Sequence, residues 1–101
     1  MPKLTLLLGR RTMQVYDLSQ AEIVVGRDPE ADVIIDNPSV SRRHAVIRQH
    51  GNGWVVEDLG SSNGTFLRGQ KLDGPNPIRV GDEIGFGKFS IVFDKVVGDS
   101  V

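Results

Sequence analysis

Between Ala45 and Leu67 the chain reads AVIRQHGNGWVVEDLGSSNGTFL, and this stretch decides the fold. Ala45, Ile47 and Gln49 alternate with Val46 and Arg48, the two-residue period of a strand. "HGNG" at 50–53 then breaks the run, the β-branched "WVVED" at 54–58 restores it, and "DLGSSNG" at 58–64 breaks it again before "TFL". Glycine and asparagine tolerate left-handed backbone, so the segment reads as strand, turn, strand, turn, strand.

The same grammar extends in both directions. Strands are expected at Lys3–Leu8, Thr12–Leu18, Glu22–Arg27, Val33–Asp36, Ala45–Gln49, Trp54–Asp58, Thr65–Leu67, Glu83–Phe86 and Ser90–Val96. Leu4, Leu6 and Leu8 share one strand face, and a hairpin turn is expected at Gly87-Lys88. No window long enough for a helix keeps a 3.6-residue apolar period free of glycine or proline. Many short strands with frequent turns predict an all-β, antiparallel sandwich or barrel. The ending "VVGDSV" at 96–101 is read as frayed. In such a fold the strands are scaffold and binding chemistry gathers in loops at one end. The loops at 26–32, 36–43, 50–53, 58–64 and 73–77 carry that chemistry here.

At 101 residues the chain is read as a single domain, 1–101, large enough for a core without staples. It has no cysteine, which fits a reducing compartment. Twelve basic residues stand against 13 acidic ones, a balance that disfavours a nucleic-acid partner. Eight of the basic residues are arginine, the better choice for bidentate oxyanion recognition. The apolar run Leu4–Leu8 is too short for a secretory signal, and no segment reaches membrane-spanning length. The expected compartment is the cytoplasm, with no membrane partner.

"PSVSRRHAV" at 38–46 places Ser41 three residues before His44. A nucleophile with its base needs a supporting turn such as G-x-S-x-G, which is missing, so catalysis is not expected. A serine capping its own loop and a histidine bonding nearby backbone is the plainer reading. His44 and His50 lack the carboxylates of a metal site, and "GFGKF" at 85–89 lacks the rest of a phosphate loop. Neither a metal nor a cofactor is expected. Gly26-Arg27, Ser41-Arg42-Arg43-His44 and Ser62-Asn63-Gly64 each fall in loops that can meet at one end of a sandwich. Their guanidinium, hydroxyl and amide groups suit a dianionic oxyanion with peptide backbone beside it.

These residues carry a resemblance. "VVGR" (24–27), "SVSRRHAVI" (39–47), "VVEDLGSSNGTFLRGQKL" (55–72) and "IRVGDEIGFG" (78–87) resemble the forkhead-associated (FHA) family of phosphothreonine-peptide readers, over about residues 23–93. The resemblance implies a β-sandwich of about eleven strands with its binding loops at one end. It implies phosphate contacts from Arg27 and Ser41, a contact from Arg42 to the phosphate or the neighbouring backbone, a Ser62 that also faces the phosphothreonine, and a bond from Asn63 to the peptide main chain. Gly26, His44 and Gly64 match positions that support the site. The implied function is phosphorylation-dependent protein interaction in kinase signalling, the partner being a phosphothreonine protein such as a Ser/Thr kinase or its substrate. The alternative is a phospho-independent interaction module that uses a sheet face. Arg68 stands in a hairpin that often carries asparagine in the family, and Ser39 stands where some members place a basic residue.

Overall fold

The computed structural model describes residues 2–95. The frayed ending expected at 96–101 lies outside the described residues, as does Val96, the last residue of the final expected strand. Two sheets pack face to face. The six-stranded sheet runs β2-β1-β11-β10-β7-β8, from β1 (Pro2–Leu8), β2 (Arg11–Asp17), β7 (Phe66–Leu67), β8 (Gln70–Lys71), β10 (Glu83–Phe86) and β11 (Phe89–Lys95). The five-stranded sheet runs β4-β3-β5-β6-β9, from β3 (Glu22–Gly26), β4 (Val33–Ile34), β5 (Ala45–His50), β6 (Gly53–Asp58) and β9 (Asn76–Ile78).

Alternation puts the core between the sheets. Leu4, Leu6, Leu67, Ile84, Phe86, Ile91 and Phe93 enter from the six-stranded side, and Ile23, Val25, Ala45, Ile47, Val56 and Ile78 from the other. Burying each large apolar side chain is worth about 1.5–3 kcal/mol, which makes this layer the main source of stability. Hairpins fix the register: Leu8 faces Arg11, His50 faces Gly53 and Phe86 faces Phe89, each pair across a two-residue turn. The turn expected at Gly87-Lys88 is one of them, opened by Gly87 at φ 63°.

Three features depart from the reading of the sequence. Gln70–Lys71 and Asn76–Ile78 are strands, although 73–77 was expected to be loop throughout. β8 is exposed at both residues and shows no apolar alternation. β9 carries Pro77, which an edge strand tolerates because no donor is needed on its outer side. The strand expected over Val33–Asp36 shortens to Val33–Ile34, and β4 runs parallel to β3 in an otherwise antiparallel sandwich. The segment after β3 doubles back: the Asp32 N–H donates to the Val24 carbonyl at 2.9 Å, and the Val24 N–H donates to Asp32 Oδ2 at 2.8 Å. That return brings β4 alongside β3 in the same direction.

Candidate functional site

The site is built where β3 ends. An alanine Cβ at Gly26 would lie 1.9 Å from the Arg42 carbonyl oxygen, so only glycine lets the loop at 39–44 press against this strand. The contact is sealed by main-chain bonds. The Arg27 N–H donates to the Ser41 carbonyl at 3.0 Å, and the Asp28 N–H donates to the Arg42 carbonyl at 3.2 Å. The Arg27 side chain follows the same direction, its Nε donating to the Val40 carbonyl at 3.0 Å. That bond holds the exposed guanidinium against the serine loop and leaves its outer N–H groups toward solvent. Arg27 makes no ion pair with Asp28 or Glu30 among the described residues; Asp28 instead accepts from the Glu30 N–H. Arg27 and Arg42 line one shallow depression of about 200 Å³, together with Asp28 and Pro29.

His44 joins this loop to the next. It is fully buried, rests edge-on against Phe86 at 5.3 Å, and bonds through both ring nitrogens. Nδ1 accepts the Ser41 N–H at 3.1 Å, so the ring proton sits on Nε2, which donates to the Gly64 carbonyl at 2.8 Å. Both nitrogens are therefore used in spanning the serine loop and the asparagine loop. His50 lies at the other end of β5 and is exposed, so the two histidines do not meet.

A second strap joins the same two loops. The Ser62 N–H donates to Ser41 Oγ at 3.0 Å, and Asn63 Nδ2 donates to the Ser39 carbonyl at 2.8 Å. Because Ser41 Oγ accepts here, its own O–H remains a donor for an incoming group. Asn63 keeps its amide oxygen and a second N–H, and the exposed Ser62 hydroxyl adds another donor. Arg43 and Arg42 are exposed beside them.

Asp58 organises the asparagine loop, a part that the sequence reading missed. Its carboxylate accepts from the N–H groups of Gly60 and Ser61, at 2.9 and 3.0 Å, and from the hydroxyls of Ser61 and Thr65. Partial burial pushes the carboxyl pKa up, but these four donors outweigh it and hold the group below the usual aspartate range. Ser61 Oγ in turn accepts the Gly64 N–H at 2.9 Å. The D-x-x-S spacing of Asp58 and Ser61 is the signal that could have shown this turn. Lys71 was also missed: its stem lies along Gly64, where a Cβ would come 2.7 Å from Lys71 Cε. Gly64 itself needs φ of 84°.

The structure thus brings the loops 26–28, 39–44 and 59–64 together, whereas the 50–53 turn lies at the opposite end of β5 and β6. The assembled surface offers fixed donors and positive charge. Among the described residues no group of three His, Asp or Glu side chains is placed to hold a metal, and no helix is long and apolar enough to cross a membrane.

Known proteins resemble this chain in sequence and in fold. The chain is 41% identical over 76 residues to an oxoglutarate dehydrogenase inhibitor of Corynebacterium jeikeium, covering 75% of this chain and 52% of that protein. It is 42% identical over 76 residues to the glycogen accumulation regulator GarA of Mycobacterium tuberculosis, covering 75% of this chain and 46% of that protein. The chain therefore spans about half the length of the curated relatives it matches, which are named as an inhibitor and a regulator. A solved structure concerned with phosphothreonine-dependent FHA domain interactions superposes with a TM-score of 0.82 at 28% identity, covering 94% of this chain and 96% of that one. The FHA domain family matches residues 23–87, a span that runs through all three loops of the site, and the chain belongs to that family.

Proposed function

We propose that this domain is a non-catalytic reader of phosphothreonine, binding a phosphorylated protein segment through the loops at 26–28, 39–44 and 59–64. The observation that carries this reading is the pair of straps, His44 and Ser41–Ser62, which fix the two loops before any ligand arrives. A phosphothreonine brings about −1.5 to −2 charges and three strong acceptor oxygens. The outer guanidinium N–H groups of Arg27, the free O–H of Ser41, Arg42 and the Ser62 hydroxyl are the donors that meet them. Asn63, with an amide oxygen and one N–H to spare, bonds the peptide main chain and sets its register. Lys71 adds positive charge beside Gly64. Gly26, His44 and Gly64 serve the geometry and never touch the ligand.

Each hydrogen bond to a charged group contributes roughly 1.5–3 kcal/mol. Three or four of them sum to about 5–12 kcal/mol, a range that contains the roughly 8 kcal/mol of a micromolar complex. No step requires a cofactor or a reacting nucleophile. The one ring nitrogen of His44 that could act as a base already accepts the Ser41 N–H. The partners assigned by this reading are a Ser/Thr kinase or a substrate of one, met in the cytoplasm. Support comes from the family and from the relative solved for phosphothreonine-dependent interactions.

The test is calorimetric titration with members of an oriented phosphothreonine peptide library and their unphosphorylated twins. Micromolar binding of the phosphorylated forms alone is expected, with loss in Arg27→Ala. Equal binding of the two forms refutes phosphate recognition.

A further inference from the structure

A groove on the outer face of the six-stranded sheet has no place in the reading above. It measures about 670 Å³, within the range of ligand and peptide clefts, and runs along β10. The register sets Phe66, Gly85 and Ser90 side by side on this face, because the adjacent row of Leu67, Ile84 and Ile91 is buried on the core side. Phe66, 37% exposed, is the apolar wall of the groove, and Gly85 is its floor. β10 lies between β11 and β7, and a glycine inside such a strand weakens it relative to alanine. The fold gives this glycine no reason. Its φ is not positive, and an added Cβ would meet only Phe66 Cβ at 3.6 Å and the Phe66 carbonyl oxygen at 3.9 Å, both ordinary contacts. No atom of the Phe66 ring comes within 4 Å of that point, so the space above Gly85 is open. Charge does not choose the occupant: Arg68 and Asp82 pair at 2.6 Å, and Lys88 and Glu83 are of opposite sign.

The groove begins beside the proposed phosphate site. Gly87 lines it, and a Cβ on Gly87 would lie 2.5 Å from Ser39 Oγ. One hairpin turn therefore separates the groove from the Ser39 carbonyl that Asn63 bonds. Gly85 lies two strand steps, about 7 Å, further along. We propose that the groove receives the continuation of the phosphothreonine segment and reads one large apolar or aromatic side chain in it. At about 3.3 Å per extended residue, that side chain belongs about four residues beyond the one that Asn63 holds. The inference rests on the phosphothreonine reading of the loops. The incoming side chain packs against Phe66 and over the bare main chain of Gly85, in the space that any larger residue at 85 would fill. The small Ser90 leaves room on the far side. Such a contact lets the domain choose among phosphothreonine partners, a choice that donors facing the phosphate alone do not supply.

The experiment is calorimetric titration of the full chain with a short phosphothreonine peptide and with extended forms of it. The extensions place leucine or phenylalanine at successive positions on either side, each beside an alanine twin. On one side, at one or two adjacent positions, the apolar residue is expected to tighten binding about fivefold or more over its twin. Gly85→Val, which fills the floor, and Phe66→Ser, which removes the wall, should abolish that gain and leave the short peptide's affinity at the wild-type value. Gly85→Ala should melt at the wild-type temperature or above, since the fold does not need glycine there. A short phosphopeptide that binds while no extension adds affinity overturns this inference alone. A short phosphopeptide that does not bind refutes the reading of the loops, and this inference with it. Gains that persist in both Gly85→Val and Phe66→Ser put the contact elsewhere and overturn the assignment to this groove. A lower melting temperature for Gly85→Ala gives the glycine a structural cause and does the same.

Discussion

Gly26→Ala tests the packing that creates the proposed phosphate site. The new Cβ would lie 1.9 Å from the Arg42 carbonyl oxygen and 2.7 Å from its carbon. Both are backbone atoms, so no rotamer change relieves the clash. Restoring ordinary contact parts β3 from the serine loop by about 1.5 Å. The bonds from Arg27 N–H to Ser41 and from Asp28 N–H to Arg42, now 3.0 and 3.2 Å, do not survive that movement. Two lost hydrogen bonds cost about 2 kcal/mol, and overpacking adds about 1–3 kcal/mol. Gly26 does not have a positive φ, so alanine suffers no backbone strain here and gains about 0.4–1 kcal/mol by restricting the unfolded chain. The clash wins, leaving a net loss of about 2–4 kcal/mol out of a total of about 5–15. Urea unfolding followed by Trp54 emission reads the stability, and phosphopeptide titration reads the site. Stability within about 0.5 kcal/mol of wild type with undiminished peptide affinity refutes the packing argument.

Three further perturbations separate the remaining contributions. His44→Ala strands the Ser41 N–H and the Gly64 carbonyl and opens a cavity beside Phe86, so a loss of about 3–4 kcal/mol with weakened peptide binding is expected; intact affinity in a folded variant contradicts its role as a strap. Arg68 holds φ at 51° while its Nη1 bonds Asp82 at 2.6 Å, so Arg68→Asn, which tolerates that backbone, should be more stable by about 0.5–1 kcal/mol than Arg68→Ala in thermal melts. Asp58 and Asp82 both have folded pKa values lowered beneath the ordinary 3.8, so their contribution is complete above that value and disappears as pH falls through the folded value. In Asp82, burial is opposed by bonds from the Arg68 side chain and the Arg79 N–H. Urea midpoints between about pH 5 and 2 should therefore drop, less steeply in Asp58→Asn; an unchanged slope in that variant removes Asp58 from the argument.

Strands with one buried face were legible from the start. Leu4 and Leu6 in β1, like Ala45 and Ile47 in β5, alternate because one side meets core and the other does not. Gln70–Lys71 has no such contrast, being exposed on both residues, and Pro77 disguises an edge strand as a turn. The parallel β3–β4 pair depends on Asp32 returning to Val24, a tertiary bond without a local signature. The residue types of the site were legible for a different reason: guanidinium, hydroxyl and amide recur in loops that a sandwich can bring to one end. Their mutual support was hidden. His44 reaches Gly64 across 20 positions of sequence, and Asp58 collects four donors from a loop in which it reads only as the end of a strand.

The central claim is that Arg27, Ser41 and Asn63 form one preassembled receptor for a single phosphothreonine. The most direct measurement is nuclear magnetic resonance titration with a phosphothreonine peptide, following the Arg27 side-chain N–H groups, the Ser41 backbone amide and the Asn63 side-chain amide. The three sets of signals should move together along one saturation curve and stay still with the unphosphorylated peptide. Movement confined to other surfaces, or separate curves for the three residues, contradicts the claim.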